Sequence, residues 1–279
     1  MTVRSVTANV RLGMQGWDRA AWVGSLYPSG IARAAMLGQY SSEFSTVEVD
    51  QTFYGIPPEP VVARWRDTVP ASFVFALKVP QQITHERRFA PANGRIARFL
   101  DRVVLLEHKL GPLLLLVPAS FLPTEEMRAT LKEFLRALPA GFKWALEVRH
   151  TDWMSEDLLD VLRARGIALV LAESRWIRHE VTTDLASTPT ADFCYVRWDA
   201  RPSARARNED SPDGSGRQWA WTEVLEQASG LVASVYGYFH SGFDGDGLRC
   251  AREAAGRVAA WQAGVTVPSG VGCVDRISD

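Results

Sequence analysis

Residues 144–153 read Trp-Ala-Leu-Glu-Val-Arg-His-Thr-Asp-Trp (WALEVRHTDW). The first half has the make-up of a buried strand, yet Glu147, Arg149, His150 and Asp152 follow within a few positions. Side chains alternate across a strand, so Glu147 and Arg149 share one face. A strand that is apolar where it enters a sheet and ionisable where it leaves fits an α/β barrel, whose sites gather at the C-terminal strand ends.

The same pattern recurs along the chain. Eight segments read as strands: NVRLGM from Asn9, TVEV from Thr46, FVFALKV from Phe73, PLLLLV from Pro112, WALEV from Trp144, IALVLAE from Ile167, FCYVRW from Phe193 and SVYGYF from Ser234. Helical signals separate most of them. Thr124 reads as an N-cap followed by Glu125 and Glu126, with Leu131, Phe134, Leu135 and Leu138 at helical spacing. Ser155 repeats the cap, and Gly166 stands where that helix should stop. Further helices are expected around residues 31–39, 60–66, 94–108, 218–227 and 248–262. Strand and helix alternating about eight times predict a single TIM-like (β/α)8 barrel over residues 9–263, with 264–279 as a poorly ordered tail. A doubly wound sheet is the structural alternative, but its Gly-rich first turn is only approximated by GMQGW.

Composition sets outer bounds. The chain of 279 residues is 47% hydrophobic and 23% charged, which is ordinary globular usage. Its apolar run from Leu113 to Val117 is far too short to cross a bilayer and predicts a strand buried on both faces. The first ten residues lack an apolar export core, so a cytoplasmic protein with no membrane partner is expected. Cys194, Cys250 and Cys273 are odd in number and far apart, which argues against a disulfide framework or a Cys-based zinc site. A net charge of −1 gives no overall attraction to nucleic acid, so any anion-binding surface must be local.

Ionisable groups cluster at the expected strand ends. Glu48 and Asp50 share one face, as do Arg197 and Asp199; Lys78 ends the third strand, and Thr84, His85 and Arg87 follow it. Glu173 and His240 end two further strands. Mixed charges at one rim offset one another's burial cost. The plain reading of Glu147 with Arg149, or Glu48 with Lys78, is an ion pair that holds the barrel closed; the functional one is a catalytic site. Trp17, Trp153 and Trp198 stand at or just past strand ends, where they could stack on a flat ligand.

Six segments, GMQGWDRAAWVGSLYP, FSTVEVDQTFYGIP, FVFALKVPQQITH, LGPLLLLVP, WALEVRHTDW and FCYVRW, resemble in order the motifs of the YecE-like family, domain of unknown function 72. The resemblance implies a TIM-like barrel and no established activity. It marks Trp17, Glu48, Tyr54, Lys78, His85, Glu147, Arg149, His150 and Arg197 as motif positions. The chain departs from the family pattern at Asp50 (usually Asn), Leu116 (usually Gln), Trp198-Asp199-Ala200 (usually His-Gly) and His240-Ser241 (usually an Asn pair), which makes it a divergent member.

Three functions follow from these residues. In the first, an enzyme of hydrolase or isomerase type binds a phosphorylated or otherwise anionic small molecule. Lys78, Arg149 and Arg197 hold the anion, Glu48 or Glu147 is the general base, and His85 or His150 is its proton partner. Trp17, Tyr54, Asp50, Asp199 and His240 complete the pocket, and no cofactor is required. The second is a metal-dependent phosphodiesterase or endonuclease with Glu48, Glu147, His150, Asp199 and His240 as ligands of a divalent metal. It ranks lower, because Lys78 and Arg149 put positive charge where the metal would sit. The third is a non-catalytic nucleic-acid-binding protein using Arg197, Arg201, Arg205 and Arg207 of the stretch RWDARPSARARNED beside Trp198, whose charges are offset by Glu209, Asp210 and Asp213.

Overall fold

The structure, a computed structural model, describes residues 8–86, 88–89, 94–173, 177, 179–199, 220–242 and 246–263. The expected tail at 264–279, Arg87 and the arginines of the 200–219 stretch lie outside the described residues.

Parallel strands form one sheet: β1 Asn9–Gln15, β2 Thr46–Val49, β3 Val74–Lys78, β4 Leu110–Leu116, β5 Trp144–Glu147, β6 Ala168–Leu169, β7 Leu171–Glu173, β8 Phe193–Trp198 and β9 Ser234–Phe239. Their order is β6-β5-β4-β3-β2-β1-β9-β8-β7. The terminal pair, β6 and β7, are successive parts of one segment, so the sheet curls into a nearly closed barrel of TIM type. This order excludes the doubly wound sheet.

The sixth expected strand, IALVLAE, is therefore two. Ala168 and Leu169 pair with β5, and Val170 N–H donates to the Leu146 carbonyl at 2.9 Å. From Leu171 onward the segment pairs with Val196, Arg197 and Trp198 of β8 instead. A two-residue strand followed by a change of neighbour lets one short segment close the ring.

Two apolar layers explain why the strands sit as they do. Inside the barrel, Phe193, Tyr195, Tyr236 and Tyr238 from β8 and β9 pack with Ala76, Ala145, Ala168 and Ala172 from β3, β5, β6 and β7. Large rings from two strands set against alanines from the others, with Leu114 and Val170, fill a narrow interior. Outside, Leu113, Leu115 and Val117, together with Trp144, Leu146 and Val148, face the surrounding helices. The Leu113–Val117 run is buried on both faces, as expected.

The β1–β2 seam has a side-chain staple. The fully buried Tyr40 hydroxyl accepts from Met14 N–H at 2.8 Å and donates to the Thr46 carbonyl at 2.9 Å. Tyr40→Phe leaves both backbone groups buried and unpaired, at about 1–3 kcal/mol. Urea unfolding should show a loss of about 2 kcal/mol at unchanged slope; an unchanged midpoint would mean that the hydroxyl holds nothing together.

Helix boundaries follow local chemistry. Thr124 caps Glu125–Ala137, its Oγ1 accepting from Met127 N–H at 3.3 Å. Ser155 precedes Glu156–Arg165, but its hydroxyl is engaged by Arg128 Nη1 at 3.0 Å and by Asp157, and makes no cap bond. Gly166 ends that helix in the left-handed conformation, φ 60°. The segment expected as one helix over 94–108 is a helix, Arg95–Val103, running into a 3-10 turn, Val104–Lys109, broken at Glu107 (φ 56°). Lys109 fixes the exit by donating to the carbonyls of Arg66 and Val69. The helix expected over 31–39 is a 3-10 turn, Arg33–Ala35, followed by Met36–Ser41.

Candidate functional site

Strand alternation carries inward-facing residues from apolar to charged as each strand leaves the barrel. On β8 the inward series is Phe193, Tyr195, Arg197, then Asp199; β5 gives Ala145 and Glu147, with Arg149 beyond; β2 gives Thr46 and Glu48, with Asp50 beyond. The charged groups therefore meet at one mouth, in two tiers.

The lower tier is fully buried. Arg197, 2% exposed, donates from Nε to Glu48 Oε2 at 2.9 Å, from Nη2 to Glu48 Oε1 at 3.2 Å and from Nη1 to Glu147 Oε2; Asp199 Oδ1 lies 3.3 Å from Nη2. Tyr195 donates to Glu48 Oε2 at 2.7 Å, and Lys78 Nζ lies 3.2 Å from Glu48 Oε1. Arg149 Nε donates to Glu147 Oε1 at 3.1 Å. Every carboxylate oxygen of Glu48 and Glu147 is thus engaged. Burial pulls against the charge on Arg197, but Glu147, Glu48 and Asp199 outweigh it and hold its pKa well above the ordinary arginine value. The Tyr195 phenol is pushed far up, by burial first and then by Glu48, so it stays protonated and serves as a donor.

The upper tier is partly open to solvent. Lys78 Nζ is 2.6 Å from Asp50 Oδ1 and the side chain is 13% exposed. Burial depresses the Lys78 ammonium, Glu48 and Asp50 raise it against the repulsion of Arg197, and the net shift is upward. Asp50 Oδ2 also lies 3.4 Å from Arg19 Nη2. Asp199 accepts from Gln15 Nε2 at 3.0 Å; burial raises its pKa, but Arg197, Gln15, Arg149 and Lys78 prevail and lower it. Among the described residues, four carboxylates (Glu48, Asp50, Glu147, Asp199) face four cations (Arg19, Lys78, Arg149, Arg197), so these groups balance one another's charge.

Two histidines flank this tier. His85 Nδ1 is 2.8 Å from Thr84 Oγ1, and its ring lies edge-on to Phe53 at 5.0 Å. Its pKa is lowered, by burial first and then by Arg149. His240 follows β9, and its Nδ1 accepts from Gly242 N–H at 3.1 Å, which leaves the ring proton of the neutral form on Nε2. Burial lowers its pKa as well; Asp199 and Asp50 oppose that shift, while Arg19 and Arg197 add to it.

The histidine shifts predict a pH dependence. Both groups start from an ordinary value of 6.5 and are lower in the fold, so the unfolded chain binds more protons as pH drops through that region. The stability they contribute is present above 6.5 and is lost as pH falls through the folded values. In denaturant titrations between pH 7 and 5, the double variant His85→Gln/His240→Gln should lose less stability than the parent. A steeper loss in the variant would reverse the assigned sign.

Other sequence candidates fall elsewhere. His150 accepts from Asp152 N–H at 3.2 Å and caps the 3-10 turn Thr151–Trp153, 3.5 Å from the Asp152 carboxylate. Its contacts stay in its own loop, because alternation ends where that turn begins. The three tryptophans expected to stack on a ligand are all core residues. Trp198 is one position out of phase with Arg197, so it faces the outer layer and stacks on Phe239 at 4.3 Å. Trp17 packs edge-on against Trp65 at 5.6 Å, and Trp153 donates to the Phe121 carbonyl at 3.1 Å. Tyr54, by contrast, is 72% exposed.

The donor set does not suit a divalent metal. Arg197, Lys78, Arg149 and Tyr195 already hold the oxygens of Glu48 and Glu147, and among the described residues no three His, Cys, Asp or Glu side chains gather as a metal would need. Sequence reasoning missed Gln15, Arg19 and Tyr195. The alternation that placed Arg197 also places Tyr195, and Gln15 ends β1 as Lys78 ends β3; Arg19 comes from a loop and carried no signal. Cys194 and Cys250 are buried, and burial pushes the Cys194 thiol up to about 12. No helix among the described residues is long and apolar enough to cross a membrane.

Comparison with known proteins fits this architecture. The family model described as protein of unknown function DUF72 matches residues 11–270. The UPF0759 protein YecE of Escherichia coli K12 is 31% identical over 171 residues, 60% of this chain and 60% of YecE. The UPF0759 protein YunF of Bacillus subtilis 168 is 29% identical over 77% of each chain. The matched region thus spans about 60% of the length of YecE. A DUF72 family protein of Thermotoga maritima superposes with a TM-score of 0.73 at 21% identity, covering 90% of this chain and 99% of that one. One of Enterococcus faecalis gives 0.68 at 20% identity, covering 90% and 98%.

Proposed function

The chain belongs to the DUF72 family, and from that premise and the two-tiered mouth we propose that it binds a small phosphorylated or otherwise anionic molecule there and acts on it by acid–base chemistry of hydrolase or isomerase type. The observation that carries the reading is the division of labour between the tiers. Burying several charges costs several kcal/mol per ion before pairing repays it. Perturbed groups of that kind concentrate at functional sites, although structural networks also produce them.

We assign Arg197, Glu48 and Glu147 to holding the site together, because their polar atoms are already engaged with one another. Anion binding then falls to Lys78, whose ammonium has three donors and two carboxylate partners, and to the partly exposed Arg149. Proton transfer falls to His85, which takes a proton as the base, with its Nδ1 tied to Thr84, and returns it as the acid; His240 orients the ligand as a hydrogen-bond donor from Nε2.

Isothermal titration with inorganic phosphate and pyrophosphate at low ionic strength tests the binding. The parent should bind, and Lys78→Met should weaken binding at least about tenfold, as expected for losing a charge-assisted contact. Arg33→Gln, a change at a surface pair with Asp18, should leave it unaltered. Equal binding by parent and Lys78→Met, or none by either, would end this reading.

A further inference from the structure

On one side of the mouth the charged tier gives way to rings. Tyr54 is edge-on to Phe53 at 5.4 Å, Phe53 is edge-on to His85 at 5.0 Å, and His85 lies 6.4 Å from Phe121, over which the Arg88 guanidinium sits at 5.1 Å. Tyr54 is the outermost and by far the most exposed ring of the row. Of the six large apolar or aromatic side chains that stand exposed among the described residues, three (Tyr54, Ile56 and Leu122) belong to the segments that follow β2 and β4, at this end of the barrel.

This ridge is fixed relative to the anion-binding lysine. Tyr54 ends the short helix Gln51–Tyr54, which begins directly after Asp50, the partner of Lys78. Within that helix the buried Thr52 donates to the Lys78 carbonyl at 2.7 Å. Four helical residues at a rise of about 1.5 Å each set the Tyr54 backbone roughly 6 Å from that of Asp50. The mouth also presents Asp50 and Asp199, acceptors that suit the hydroxyl donors of a ligand and not its anionic end.

We infer that the anion taken at the mouth is a phosphate monoester joined through a hydroxylated, sugar-sized spacer to a planar heteroaromatic ring, which lies on Tyr54 while the phosphate meets Lys78 and Arg149. The inference rests on the anion-binding reading above and adds the ligand's class, a nucleotide-like molecule. A rigid exposed aromatic face next to a cation suits such a ring, because stacking is tolerant of ring identity while the fixed charge sets the ligand's direction. The carboxylates that an anion alone would avoid then have a use, accepting hydrogen bonds from the spacer hydroxyls.

Calorimetric titration of the full chain with adenosine 5′-monophosphate, ribose 5-phosphate and adenosine separates the parts. The monophosphate should bind about tenfold or more tightly than ribose 5-phosphate. Tyr54→Ala should bring it to the ribose 5-phosphate level while leaving ribose 5-phosphate unchanged, and Lys78→Met should weaken both phosphates. Equal binding of the two phosphates by the parent, or an equal effect of Tyr54→Ala on both, overturns the ring subsite and leaves the anion site standing. Binding of adenosine and its monophosphate with equal strength, undisturbed by Lys78→Met, overturns the anion site. Failure of all three to bind overturns both.

Discussion

Replacing Arg197 with leucine should lower the stability of the fold by about 3–5 kcal/mol, the range typical of removing one partner from a buried ion pair. The cause is what remains behind. Glu48 loses two hydrogen bonds, and Glu147 and Asp199 lose their shared cation, at a depth where water cannot replace it. In a chain of this size such a loss lowers the melting temperature by about 5–9 °C. Thermal unfolding of parent and variant at pH 7 checks the loss. A variant as stable as the parent would mean that the cluster contributes nothing to the barrel.

A second large effect is expected at Gly13 on β1. A methyl group there would stand 2.2 Å from the Thr46 carbonyl oxygen and 2.9 Å from the Tyr40 hydroxyl, so backbone must move. Overpacking of this kind costs about 1–3 kcal/mol, and a backbone obstruction belongs at the upper end. Gly13→Ala should therefore destabilise the chain by about 3 kcal/mol and open the seam that Tyr40 staples. Because Gln15 and Glu48 pair across that seam, the damage should reach the mouth: phosphate binding by the folded fraction should weaken as well. An alanine variant with parental stability would show that β1 and β2 approach less closely than the structure has them.

How much of this was legible in the sequence depends on where alternation holds. Strand positions and the inward faces of Glu48, Glu147, Arg197 and Asp199 follow from a period of two, which is why one mouth was expected. The same rule, applied to Trp198, puts it on the opposite face from Arg197, where it stacks on Phe239. The division of the sixth strand was not readable. Val170 is as apolar as its neighbours, and the change of partner there arises from ring closure, a property of the whole sheet. His150 looked like a site residue because it follows Arg149, but a 3-10 turn starts immediately after it and turns its ring into a cap. The saturation of Glu48 and Glu147 was equally hidden, since it depends on one arginine reaching three carboxylates from three strands or strand ends.

The central claim is that the lower tier is a finished support and the upper tier an anion site. Crystals grown with tungstate, a heavy analogue of phosphate, would test it directly through anomalous scattering. A peak within hydrogen-bonding reach of Lys78 Nζ and the Arg149 guanidinium, above an undisturbed Arg197–Glu48–Glu147 network, is the predicted result. Tungstate bound only at surface arginines away from the mouth, or drawing Arg197 out of its carboxylate cage, would contradict the account.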